Sequence, residues 1–170
     1  MEPPSEPPQT LADPRELLLG YLDYYRAVVV RKLDGLSERE LRTSRLPSGW
    51  TPLELLKHLA YMERRWLRWG FMGERVEDPW GDQGPDGRWR VGEEETLDDL
   101  KALLAEQAEA TRRIVTAARL DDSAATGGRF APPAPVPTLG WILCHVLQEY
   151  ARHAGHIDVV RELTDGTVGK

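Results

Sequence analysis

A single cysteine, Cys144, stands in the 170 residues, so no disulfide can close within the chain. No apolar run is long enough to span a bilayer and no charged-then-apolar leader is present, so a soluble cytoplasmic protein is expected. Positive charge is also short: 22 Lys and Arg face 28 Asp and Glu, and the basic residues form no run. With a net charge of -6, a phosphate backbone is a poor partner, and no nucleic-acid binding is expected. Arg64, Arg65 and Arg68 interleave with Trp66 and Trp69, but a basic outer helix face over an aromatic inner one is a commoner arrangement than a base-stacking surface. Alternating apolar runs and internal repeats are missing as well, which leaves an all-α protein of one domain.

What is present is helical punctuation. Residues 1–12 are Pro-rich and polar, too poor in large apolar side chains to pack, and read as a disordered tail before a domain over 13–170. Asp13-Pro14-Arg15-Glu16 opens a first helix with an N-cap, a proline at N1 and an acidic N3. Its apolar residues Leu17, Leu18, Tyr21, Leu22, Tyr25, Val28, Val29 and Leu33 lead to a stop near Gly35. Ser37 to Glu40 repeats the capping pattern over a short turn. Thr51-Pro52-Leu53-Glu54 starts a second long helix running to Phe71 or Met72, with His58 on the inner face between Leu55 and Leu59. Thr96 caps a third helix to about Arg119, and Thr138 caps a fourth that ends near Asp165 and Gly166. The long connector over 73–95 carries Trp80 and Trp89; a lid over a pocket and a clamp on the outside are equally compatible with it. Four long helices with two long connectors predict a four-helix bundle.

The fourth helix carries three of the four histidines. At 100° per residue, His145, Glu149, His153 and His156 fall within roughly 80° of arc. Trp141, Ile142, Leu147, Tyr150, Ile157, Val160 and Leu163 lie beside and behind that stripe, so the helix is expected to be buried on much of its circumference. Polar groups there need partners. Hydrogen-bonded core histidines would satisfy the requirement for any one of them; three with a glutamate point to a metal or catalytic site. Glu149 and His153, at i, i+4, can bind one ion together, and His58 adds a second imidazole. That set suits a catalytic zinc with an open position, and equally iron, manganese or nickel. His145 and Glu149 form a competing i, i+4 pair. Cys144 lies about 140° from Glu149 around the helix and reads as a small core residue.

At these residues the chain resembles the DinB/YfiT-like superfamily of metal-binding four-helix bundles. GWTPLELLKHLAYME, residues 49–63, matches its second-helix motif, and EYARHAGHID, residues 149–158, matches its fourth-helix motif. Within it the chain looks closest to the actinobacterial branch allied to mycothiol-dependent maleylpyruvate isomerase, whose first fourth-helix ligand is a Glu, as Glu149 is here. The resemblance implies His58, Glu149 and His153 as metal ligands, an up-down-down-up bundle, a homodimer, and mycothiol or a similar thiol as co-substrate. Three functions follow as expectations. In the first, a metal-dependent transferase or isomerase activates a low-molecular-weight thiol, His145 and His156 orient ligands or move protons, and Arg152 receives an anionic substrate group. In the second, a hydrolase uses the open position for water. In the third, a non-enzymatic bundle closes its metal with His145 or His156 as fourth ligand. His156, near the helix end, can also serve only to bond terminal carbonyls.

Overall fold

The computed structural model describes residues 4–168. Among them lie α1 (Pro14–Leu33), a one-turn α2 (Glu38–Leu41), α3 (Pro52–Arg64), α4 (Leu97–Ala117) and α5 (Leu139–Asp165), and no strand. Only two isolated bridges occur among these residues, Gln83 with Trp89 and Ser123 with Thr138. Among the described residues no helix is long and apolar enough to cross a membrane.

The helix starts are where the capping residues put them. The Asp13 carboxylate accepts from the backbone N–H groups of Arg15 at 2.8 Å and Glu16 at 3.2 Å, replacing partners the first turn lacks. Reciprocal capping boxes open α2 (Ser37 with Glu40), α3 (Thr51 with Glu54) and α4 (Thr96 with Asp99). Thr138 accepts from the Trp141 N–H at the start of α5, which ends at Gly166 with φ 75°, a left-handed conformation that glycine adopts without penalty.

α3 does not stop as an α-helix. It continues into a π-helical segment, Arg65–Phe71, where Met72 N–H bonds back five residues to the Leu67 carbonyl at 3.0 Å. The wider turn shifts the phase of every later side chain. Arg65, expected on the outer face, opens this segment seven residues after His58, on the same face of the helix, and is 3% exposed. The 118–138 connector covers the far end of this segment: Ala125 N–H bonds the Phe71 carbonyl at 2.8 Å and Arg129 N–H the Trp69 carbonyl at 3.2 Å. Gly128 sits so close to the Trp69 carbonyl that a Cβ would overlap it.

α1 packs chiefly on α5, and α3 on α4. Leucines from every long helix fill the space between, Leu22, Leu55, Leu59, Leu100 and Leu143 among them. The core face of α1 is rotated from its expected phase: Leu19 and Arg26 are buried, whereas Leu17, Leu18, Tyr21 and Tyr25 are only half-buried. Arg26 faces inward because the core holds a carboxylate. Glu63 of α3 is 0% exposed and accepts two hydrogen bonds from the Arg26 guanidinium, at 2.6 and 3.1 Å. The Tyr150 hydroxyl of α5 donates to it at 2.6 Å, and the Thr111 hydroxyl of α4 donates as well. One buried carboxylate thus ties all four long helices together. Despite burial, the guanidinium is raised above its ordinary pKa by Glu63, whereas burial and then Glu63 push the Tyr150 hydroxyl well above its own.

Several other expectations shift at the surface. Trp141 and Leu163 are exposed, at 54% and 55%, and Cys144 is exposed rather than part of the core, because they lie on sides of α5 turned away from it, whereas Leu139, Ile142, Leu143 and Val160 at the same levels are buried. At the N-terminus, residues 4–12 carry no helix, but Leu11 N–H bonds the Pro8 carbonyl and Pro7 lies against Gly20 of α1. Residues 1–3 of the expected tail lie outside the described residues.

Candidate metal centre

The α3 and α5 axes run so that His58 faces His153 (ring centroids 5.3 Å) while Trp66 faces His145 (4.4 Å). Eight residues forward on one helix correspond to eight back on the other, an antiparallel groove with His58 and the α5 polar stripe along its walls. Within it, ligand atoms of His58, Glu149 and His153 all lie within 4.8 Å of one another. His153 Nε2 is 3.2 Å from the Glu149 carboxylate. His153 is 4% exposed, and burial first, then His58 and His156, push its pKa down to about 3, so its ring is a neutral donor.

The outer nitrogens of both imidazoles are already engaged. His58 Nδ1 lies 3.0 Å from Asp82, a carboxylate that is 0% exposed. Asp82 is itself gripped by both terminal nitrogens of Arg65, at 2.5 and 3.1 Å, and Arg65 also donates to the Pro79 carbonyl at 3.1 Å. Burial raises the Asp82 pKa, but the hydrogen bonds from His58 and Arg65, with the charge of Arg65, hold it below the usual carboxylate range. An ionised Asp82 fixes the His58 tautomer with its proton on Nδ1, leaving Nε2 with a free lone pair. On the other side His153 Nδ1 lies 3.2 Å from His156 Nδ1, and its Nε2 is the nitrogen turned toward Glu149. Two imidazole lone pairs and a carboxylate, each imidazole oriented by an outer partner, match the chemistry that a divalent cation requires.

The 73–95 connector forms the roof. Arg90 N–H bonds the Asp82 carbonyl and Gly84 N–H the Arg88 carbonyl, both at 2.8 Å, folding 82–90 back on itself. This turn lays Trp89 flat on His58, centroids 4.1 Å apart and planes 20° apart, with its edge toward His153 at 5.5 Å. Trp50 covers His156 from the opposite loop. Between the two loops is a recess of about 240 Å³ bordered by Trp50, Trp89, Glu54, Arg88 and Arg90. The connector is tied down along its length: Arg42 donates to the carbonyls of Gly92, Glu93 and Glu95, and Lys57 pairs with Glu95 at 2.7 Å.

The remaining candidates sit around the cluster rather than in it. His156 is half-buried against His153. His145 lies between Trp66 and Trp141, stacked on the latter with planes 5° apart, and its pKa is lowered, chiefly by burial. Arg152 is exposed on α5, one residue before His153. Among the described residues, the cluster brings in neither His145 nor His156 as a fourth donor. Asp82 and Trp89 escaped the sequence reading because a connector without periodicity brings them to the site, and Arg65, on the helix that carries His58, because its partner Asp82 lies on that connector. The only available signal was the presence of tryptophans in a long loop.

The helices and this cluster define an all-helical protein with a two-imidazole, one-carboxylate donor set in an interhelical groove. Comparison with known families supplies the next step: the description of the mycothiol-S-transferase family matches residues 17–166. The chain belongs to that DinB/YfiT-like family, in agreement with the resemblance carried by the two motifs. A comparison with curated proteins finds no match.

Proposed function

We propose that this protein is a metal-dependent mycothiol S-transferase that joins the thiol of mycothiol, or of a similar low-molecular-weight thiol, to an electrophilic small molecule. The observation that carries the reading is the convergence of His58, Glu149 and His153 with both outer imidazole nitrogens already occupied, in a chain of this family. These three residues would hold the ion, with zinc favoured by the donor set. Bound there, a divalent cation supplies the Lewis acidity that lowers the pKa of a thiol.

The chain's own groups do the rest. Asp82 and His156 keep the two imidazoles pointed inward, and Trp89 over His58 restricts water from that side. His145, neutral and one turn from Glu149, takes the thiol proton; the sulfur lone pair forms the S–C bond as the leaving group departs with the electrons of the broken bond. Arg152 is assigned to an anionic group of the substrate reaching the site from solvent. The polar recess of Trp50, Glu54, Arg88, Trp89 and Arg90 suits the hydroxyl-rich body of such a thiol. The pairing of α1 with α5 and of α3 with α4 supports an up-down-down-up four-helix bundle over 13–170. A cytoplasmic homodimer belongs to the same reading.

Elemental analysis, followed by turnover of mycothiol with a panel of electrophiles in loaded and stripped protein, tests it. His58→Ala, Glu149→Ala and His153→Ala are expected to abolish stoichiometric metal. His145→Ala and His156→Ala are expected to retain it with at most a moderate loss of affinity, on the order of 10-fold to 100-fold. Equal turnover in loaded and stripped protein, or none with either, would overturn the proposal.

A further inference from the structure

A second recess lies at the other end of the α3–α5 groove. Trp66, Phe130, Trp141 and the prolines at 135 and 137 border a space of about 450 Å³. Its rings lie within contact of one another, Trp66 to Phe130 at 6.0 Å and Trp66 to Trp141 at 5.7 Å, and Trp141 leaves more than half of its surface to solvent. An exposed tryptophan stacked on a histidine loses apolar burial that a folded chain ordinarily secures, unless something else covers it.

The recess and the metal centre share α5 as a wall. Trp141, His145, Glu149 and His153 follow one another at i, i+4, so they form a single row along α5. From Trp141 to Glu149 the row rises about 12 Å. Arg129 contributes a cation to the same wall: its guanidinium lies 4.3 Å from the Trp66 ring, and its Nη1 is buried without a hydrogen-bond partner among the described residues. The two recesses therefore differ in chemistry. The one beside Trp89 has charged residues of both signs, whereas this one is aromatic with a cation at its edge.

We infer that the recess of Trp66, Phe130 and Trp141 binds the body of the electrophilic co-substrate, an aromatic or extended apolar molecule that is neutral or anionic, with its reactive carbon directed past His145 toward Glu149 and His153. The inference rests on the thiol-transfer reading and specifies its second substrate. A molecule about two helical turns long reaches from the rings to the cluster. Phe130 and Trp141 act as specificity residues here, and cationic electrophiles are disfavoured by Arg129.

Binding and turnover test it separately. Calorimetric titration of the metal-free full chain with 2-naphthol, which cannot react, is expected to show one site. Trp141→Ala and Phe130→Ala should each weaken it about tenfold, while His153→Ala stays within about twofold. Because Trp141 is exposed, its substitution leaves the fold intact, as circular dichroism will show. In turnover with mycothiol, 2-(bromomethyl)naphthalene is expected to exceed iodoacetamide in kcat/KM, each relative to its uncatalysed rate, and Trp141→Ala should remove about tenfold of that preference. Failure of 2-naphthol to bind, binding indifferent to both ring substitutions, or absence of the naphthyl preference in an active enzyme would overturn the inference while leaving thiol transfer standing. Ring-dependent binding without turnover of any electrophile supports the recess and overturns the transferase reading instead.

Discussion

The Arg26–Glu63 pair gives the sharpest energetic prediction. Replacing Arg26 by Met keeps much of the side-chain volume but leaves the Glu63 carboxylate, at 0% exposure, with only the hydroxyls of Tyr150 and Thr111 as donors. The two guanidinium bonds at 2.6 and 3.1 Å are lost, and no water can replace them without opening the core. Removing one partner of such a pair costs about 3–5 kcal/mol. Glu63→Met should cost less, about 2–3 kcal/mol, because Arg26 retains Asp23 at 2.8 Å. In the double variant no charge is stranded, and the remaining cost is that of two hydroxyls without acceptors, about 1–3 kcal/mol in total. The double variant is therefore more stable than Arg26→Met alone, with a coupling energy of at least about 2 kcal/mol. Urea unfolding of metal-free protein at pH 7 measures this without ligand linkage. With a slope of about 2 kcal/mol/M, Arg26→Met lowers the midpoint by roughly 2 M. Additive losses in the double variant, or a loss below about 1 kcal/mol for Arg26→Met, would refute the view that this carboxylate is charged and held by all four helices.

Two further outcomes concern the centre itself. Asp82→Ala removes the acceptor that orients His58 and strands Arg65 in the interior; metal affinity, read by competition with a chromophoric chelator, should fall about 10-fold to 100-fold, with stability lowered by about 3–5 kcal/mol. A folded Asp82→Ala protein with unchanged affinity would remove Asp82 from the site. For pH, the His153 pKa is about 3 when folded against an ordinary 6.5, so below 6.5 the unfolded chain binds the extra proton. The stabilising contribution is complete above that value and is lost as pH falls toward about 3, amounting to about 2 kcal/mol between pH 7 and pH 5. Metal-free His153→Gln should show that much less acid sensitivity in urea unfolding than the parent; identical pH profiles would mean that His153 is not desolvated.

The sequence alone determined what is local. Helix starts at Asp13, Thr51 and Thr96 were readable because a cap and the carboxylate or proline that follows it act within one turn, and the start at Thr138 from its cap alone. The proximity of Glu149 and His153 was readable for the same reason: i, i+4 spacing alone makes them neighbours. His58 could be joined to them through its place on an apolar face and the motif around it, although the facing distance of 5.3 Å to His153 belongs to the packing. Tertiary structure decided the rest. Asp82 reaches His58 across 24 residues and a turn without periodicity, and Glu63 collects donors from three other helices, so no spacing rule could find either. A charged residue in a helical stretch reads as solvent-facing because its partner is invisible in one dimension; Arg26, Glu63 and Arg65 are buried because partners from other elements meet them there. Arg65 shows the same limit: seven residues after His58 it shares that face of the helix, but only the folded connector brings the Asp82 that pairs with it.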